Sequence, residues 1–196
     1  TQLLPAMPAG QYRIYADIVH HTGFPETQVG NINLSAGLDP AVSKPLSGDD
    51  SGEAGLAASD GVAILADGYR MVWERDASPL KARQPIWFRF RMEDKAGKPA
   101  SDLESYMGMA GHAAFISSDG AVFSHVHPSG SVSMAALAIA HGGVPDQGMA
   151  GMNHGSASAE VSFLYGFPRA GDYRIFVQIK RAGRVETGSF MAHVGQ

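Results

Sequence analysis

Apolar and polar positions alternate along this chain in short runs, and Gly, Pro, Asp and Ser close most of them. In IWFRFRM (86–92) Trp87, Phe88 and Phe90 stand among Arg89 and Arg91. A period of two places successive side chains on opposite faces of a strand, so this run predicts a strand with one face inward. QYRIYADIV (11–19), RMVWER (70–75), HAAFIS (112–117), AVFSHVH (121–127), EVSFLYGF (160–167), YRIFVQIK (173–180) and SFMAHV (189–194) have the same character. All are rich in aromatic and β-branched residues and end at turn residues. Many short strands at this spacing predict an all-β chain built as an antiparallel β-sandwich. Only SVSMAALAIAH (131–141) reads as helical, so the expectation is at most one short helix, near 131–141.

Two runs repeat each other. AGQYRIYADI (9–18) matches AGDYRIFVQI (170–179), and both lead through Glu-Thr into a second strand, at Glu26–Thr27 and Glu186–Thr187. Each unit reads as a hairpin with a fairly long connection. The second closes the chain as the last strand pair of a sandwich would. The first then reads as the end of a preceding repeat, over residues 1–40. One sandwich with two similar hairpins accounts for the same pattern. Residues 41–60, rich in Pro, Gly, Ser and Asp, read as a linker or surface loop, and 61–196 as the main sandwich.

The hairpin GHAAFISSDGAVFSHVHP (111–128) holds three of the eight histidines. Asp119-Gly120 is a hairpin turn signal, because Gly accepts positive φ without a steric penalty. A loop centred there sets Ser118 opposite Ala121 and His112 opposite His127. Directly opposed residues share a face, and His125, two residues from His127, shares it too. Ile116 and Phe123 fall on this face nearer the turn, where they are expected to pack as core. Three imidazoles aimed at one point suit Zn²⁺, Cu or Fe. Any one of these histidines alone would read as a hydrogen-bonded core or surface residue, so the weight rests on the register.

Soft donors stand nearby. Met107 and Met109 precede the hairpin in YMGMAGH, and a thioether beside imidazoles favours copper over zinc. Filling core gaps is the ordinary use of Met, and the sequence does not separate the two as a fourth ligand. A second, looser set is His141, Met149, Met152 and His154 in the Gly-rich stretch HGGVPDQGMAGMNHG, where M-x-x-M-x-H resembles the tracts of exported copper-handling proteins. His20 and His21 point to opposite faces of a strand, and His193 reads as structural or exposed. The acidic SGDDSGE (47–53) lacks EF-hand spacing.

Composition narrows the classes. The chain has 196 residues, 44% of them hydrophobic, and a formal net charge of −4 with no basic run. Phosphate binding needs clustered Lys and Arg, so nucleic acid is not an expected partner. No apolar run reaches the roughly 20 residues of a membrane-spanning helix. There is no Cys, which excludes disulfides, thiolate metal sites and Cys nucleophiles. Neither a nucleophile elbow nor a phosphate-binding loop of the G-x-x-x-x-G-K-[ST] kind occurs. The N-terminus carries no signal-peptide pattern, so the chain is either cytoplasmic or a mature or truncated form of an exported protein.

DLESYMGMAGHAAFISSDGAVFSHVHP together with FPRAGDYRIFVQIKRAGRVETGSFMAHV resembles a group of bacterial exported immunoglobulin-like domains with an M-G-M-x-G-H segment followed by an H-x-H-P strand. More distantly it is similar to YtkA-like and FixH-like periplasmic domains associated with copper handling. The resemblance covers roughly 60–196 and partly 9–34. It implies an Ig-like or cupredoxin-like sandwich in the periplasm or secreted, as the extracytoplasmic part of a longer protein. Carried over, the matching positions are Met107, Met109, His112, His125 and His127. A blue-copper electron carrier is excluded, because that site needs a Cys thiolate.

The expectation is therefore a copper-binding module for storage, delivery or sensing, with zinc the alternative ion and a copper-handling protein or membrane component as partner. A three-His metalloenzyme is the second reading; an Ig-like interaction domain without metal is the third.

Overall fold

The computed structural model describes residues 9–22, 25–35, 57–65, 68–107, 109–128 and 158–196. The expected helix at 131–141, the donors His141, Met149, Met152 and His154, the acidic stretch 47–53 and all of the expected linker before residue 57 lie outside the described residues.

Twelve strands run in chain order among the described residues: β1 (Gly10–Val19), β2 (Pro25–Leu34), β3 (Val62–Ile64), β4 (Arg70–Glu74), β5 (Leu80–Lys81), β6 (Ile86–Glu93), β7 (Leu103–Glu104), β8 (His112–Ser117), β9 (Phe123–Val126), β10 (Glu160–Tyr165), β11 (Gly171–Arg181) and β12 (Arg184–Gly195). One sheet has the order β10-β6-β4-β3. The other is β5-β12-β11-β8-β9, with β7 also on β11. Every pairing is antiparallel except β12 with β5. The all-β sandwich expected from the alternation is what forms.

The two sheets meet through aromatic side chains. Phe88 on β6 meets Phe115 on β8 edge-on, with ring centroids 4.9 Å apart, and Phe90 approaches Phe190 on β12 at 5.1 Å. Such rings each bury a large apolar area and dominate a core. Trp87, between Phe88 and its own strand's start, faces solvent instead, as the period of two requires. Tyr173, near the start of β11, sends its hydroxyl back to the Arg169 carbonyl at 2.9 Å. This is the tyrosine-corner contact of Ig-like sandwiches.

β1 and β2 form a separate two-stranded sheet. Its register reproduces that of β11–β12. Ile18 pairs with Glu26 as Ile179 pairs with Glu186, and Asp17 pairs with Thr27 as Gln178 pairs with Thr187. The repeated sequence thus folds to the same hairpin twice, but in different surroundings. Ile175 and Ile179 are fully buried between the sheets, whereas their counterparts Ile14 and Ile18 are 38% and 39% exposed.

A three-histidine centre on the outer face of the sheet

Ala113 pairs with Val126, Ala114 with His125, Phe115 with Ser124 and Ile116 with Phe123. Continuing this register sets His112 opposite His127, as the turn signal predicted. The loop is longer than the two residues Asp119-Gly120. Ser117 N–H bonds to the Val122 carbonyl at 3.0 Å and Gly120 N–H to the Ser117 carbonyl at 2.7 Å, which leaves Ser118–Ala121 as a four-residue loop. A loop longer by two keeps every side chain on its face. Gly120 takes the left-handed conformation, φ 67°. Asp119 pins the turn, accepting from Ser117 Oγ at 2.6 Å and from Ala121 N–H at 3.0 Å. The Arg169 guanidinium, 2.6 Å away, holds its carboxyl well below the usual carboxylate range.

The face of the histidines differs from the expectation in one respect. Ala113, Phe115, Ser117 and Val126 point into the sandwich and are buried. Ile116 and Phe123 therefore do not belong to its core. With His112, His125 and His127 they lie on the outer face. There Phe123 is covered by Tyr15 of β1, stacked with centroids 4.1 Å apart and planes 7° from parallel.

The three imidazoles converge. Ring centroids are 5.3 Å apart for His112 and His125, 4.9 Å for His112 and His127, and 4.6 Å for His125 and His127. One ring nitrogen from each lies within 4.8 Å of the other two. His112 and His127 are buried and His125 is partly exposed.

A loop excursion explains the burial of His112. β7 and β8 occupy the same edge of β11, and between them the chain leaves that edge and returns. The excursion closes on itself: Tyr106 N–H bonds to the Met109 carbonyl at 2.8 Å, and Met109 N–H to the Tyr106 carbonyl at 3.0 Å. Met107 turns the corner in the left-handed region, φ 48°, with its side chain 68% exposed; Met109 is half-buried. The return at Gly111 is tight, since a Cβ there would meet the Gln178 carbonyl oxygen at 2.6 Å. The result is a Tyr106 carbonyl 3.1 Å from His112 Nε2 and a Tyr106 ring edge-on to the imidazole.

These partners fix the protons. A carbonyl only accepts, so His112 Nε2 carries the hydrogen and Nδ1 keeps its lone pair. On His125, Nδ1 stands 2.6 Å from the Asp17 carboxylate, which likewise accepts, so Nε2 is the nitrogen left with a lone pair when the ring is neutral. Those two nitrogens, His112 Nδ1 and His125 Nε2, face each other at 3.1 Å. Two lone pairs at that distance repel unless a cation, proton or metal ion, lies between them. Two imidazole nitrogens on one tetrahedral ion at about 2.0–2.1 Å stand roughly 3.3 Å apart. A metal-ligating His with its other nitrogen on a carbonyl or carboxylate is the usual outer arrangement of such sites. Burial, reinforced by the neighbouring imidazoles and opposed by the Tyr106 carbonyl, lowers the pKa of His112 from 6.5 to about 4, which keeps it a neutral donor.

The other described histidines are elsewhere. His20 pairs with Glu26 at 2.8 Å, His21 lies exposed in the turn after β1, and His193 pairs with Asp172 at 2.7 Å on the surface. Sequence reasoning missed Tyr106, whose part is played by a main-chain atom, and Asp17, which is 108 residues from His125.

The fold and site define a β-sandwich domain with a three-imidazole group, able to hold a metal ion, on the outer face of one sheet. The chain belongs to the family described as Domain of unknown function (DUF8832), whose model matches residues 63–196. No curated protein and no solved structure matches the chain significantly. The matched stretch contains all three histidines and leaves β1 and β2 outside it.

Proposed function

We propose that this protein is an extracytoplasmic copper-binding module that stores, delivers or senses the ion through His112, His125 and His127. The observation that carries the metal reading is the convergence of His112, His125 and His127, one ring nitrogen of each within 4.8 Å of the others, with the far nitrogens of His112 and His125 held by the Tyr106 carbonyl and the Asp17 carboxylate. Copper is favoured over zinc by the thioethers in the same excursion, since soft sulfur selects Cu(I). Met109 is the better fourth donor of the two, because Met107 points its side chain into solvent. The setting outside the cytoplasm rests on the resemblance of the M-G-M-x-G-H and H-x-H-P segments to exported domains. A second copper-handling protein or a membrane component is then the partner that gives or takes the ion.

The test is metal retained per chain after loading with copper or zinc and dialysis against a competing chelator. About one equivalent of copper, lost in His125→Ala, is expected. Zinc retained in its place would keep the site and overturn the choice of ion. No metal retained would overturn the reading altogether.

A further inference from the structure

We propose that the β1–β2 hairpin is a clasp on the metal site, with Asp17 as a positioning residue for His125, so that metal binding and hairpin docking strengthen each other. This rests on the three-histidine reading above.

Among the described residues the hairpin shares no sheet with the sandwich. Its described attachments instead run from one face of β1 to the histidine hairpin. Arg13 donates through Nη1 to the Gly120 carbonyl, and Tyr15 donates to the same oxygen at 3.0 Å. The Tyr15 ring stacks on Phe123. Asp17 Oδ2 takes the His125 Nδ1 hydrogen at 2.6 Å, and its other oxygen accepts from Thr27 Oγ1 of β2, also at 2.6 Å. Thr27 thus orients Asp17, and Asp17 orients His125. The counterpart of Asp17 in the second hairpin is Gln178, the cross-strand neighbour of His112. The same position of both hairpins therefore flanks the imidazole cluster, and only in the first is it an anion.

An ion on His125 Nε2 draws electron density from the ring and makes the Nδ1 hydrogen a stronger donor to the carboxylate. Docking tightens as a result. Linkage is reciprocal: the factor by which metal strengthens docking is the factor by which a docked hairpin strengthens metal binding, so a variant that leaves the hairpin undocked loses that factor in affinity.

The experiment uses the full chain and copper, or zinc if zinc is what the wild type retains. Affinity is measured by chelator competition, and hydrogen exchange is followed at the β1 and β2 amides with and without metal. Asp17→Ala is expected to lower affinity about 10–100-fold, the usual effect of losing such an outer partner. Asp17→Asn, which keeps an acceptor, is expected to recover part of that loss. Tyr15→Ala touches no ligand and is expected to lower affinity too. Metal is expected to slow exchange in β1 and β2 of the wild type and not in Asp17→Ala. Wild-type affinity in either alanine variant, or hairpin exchange indifferent to metal, would overturn the clasp while leaving the metal site standing. A wild-type chain that retains no metal would overturn both, and is read before any variant is made.

Discussion

Tyr106 and His112 meet twice: the imidazole Nε2 donates to the Tyr106 carbonyl at 3.1 Å, and the two rings stand edge-on with centroids 5.1 Å apart. The contact exists because the chain leaves the β11 edge after β7, turns through Tyr106–Met109, and returns at Gly111. It turns His112 Nδ1 toward His125 Nε2, 3.1 Å away. A main-chain atom, held by a turn, thereby sets which nitrogen can bind metal.

The return at Gly111 is the weak point of that arrangement. Gly111→Ala would push a methyl to 2.6 Å from the Gln178 carbonyl oxygen, so the backbone must shift. We expect a stability loss of about 1–3 kcal/mol by urea denaturation, as for other overpacked sites. Metal affinity is expected to fall with it, because the shift moves Tyr106 relative to His112.

His125→Ala and His127→Ala are each expected to abolish tight metal binding. The loss should exceed the roughly 100-fold that removal of an outer partner costs. Far-UV circular dichroism is expected to stay that of the wild type, since neither side chain belongs to the aromatic core between the sheets. Stoichiometric binding retained in both variants would sink the three-histidine site.

Protonation of His112 should destabilise the metal-free fold. Its pKa is about 4 in the native state against 6.5 as the ordinary value. Between those values the unfolded chain binds the proton and the native chain does not, so stability falls as pH falls. Above about 6.5 the group contributes no pH dependence, and below about 4 no further loss accrues. The full loss is about 3 kcal/mol. Urea midpoints from pH 7 to pH 4 are expected to fall more steeply for the wild type than for His112→Gln. Equal slopes would contradict the assignment.

The two methionines should separate. Met107 holds a left-handed turn position with an exposed side chain, so Met107→Gly is expected to leave metal affinity unchanged and to alter stability by less than about 1 kcal/mol. Met109→Leu is expected to weaken Cu(I) binding and not Zn²⁺ binding, read by parallel chelator competitions with each ion. The reverse pattern would move the fourth donor to Met107.

Much of the site was legible because its geometry follows from counting. A two-residue and a four-residue loop centred on Asp119-Gly120 give the same partners, so His112 faces His127 either way. Alternation also made the long strands visible, and the Phe88 and Phe90 positions with them. It did not say which side of the histidine hairpin meets a second sheet, because alternation defines two faces and names neither as inner. By alternation alone Ile116 and Phe123 read as core for that reason, whereas Tyr15 covers Phe123 on the outside. β3, β5 and β7 are too short to show a period. The two like hairpins folded to one register, yet Ile14 is exposed where Ile175 is buried, since burial depends on what stands opposite. Tyr106 contributes a carbonyl, which every residue has, and Asp17 reaches His125 only through tertiary folding.

The most direct measurement is X-ray absorption at the metal edge of the copper-loaded chain, with His125→Ala beside it. The account predicts one ion whose outer-shell scattering carries the signature of three imidazoles in the wild type, with none retained tightly in the variant. An ion with a shell of oxygen donors and no imidazole scattering, or the same spectrum and occupancy in both chains, would contradict it.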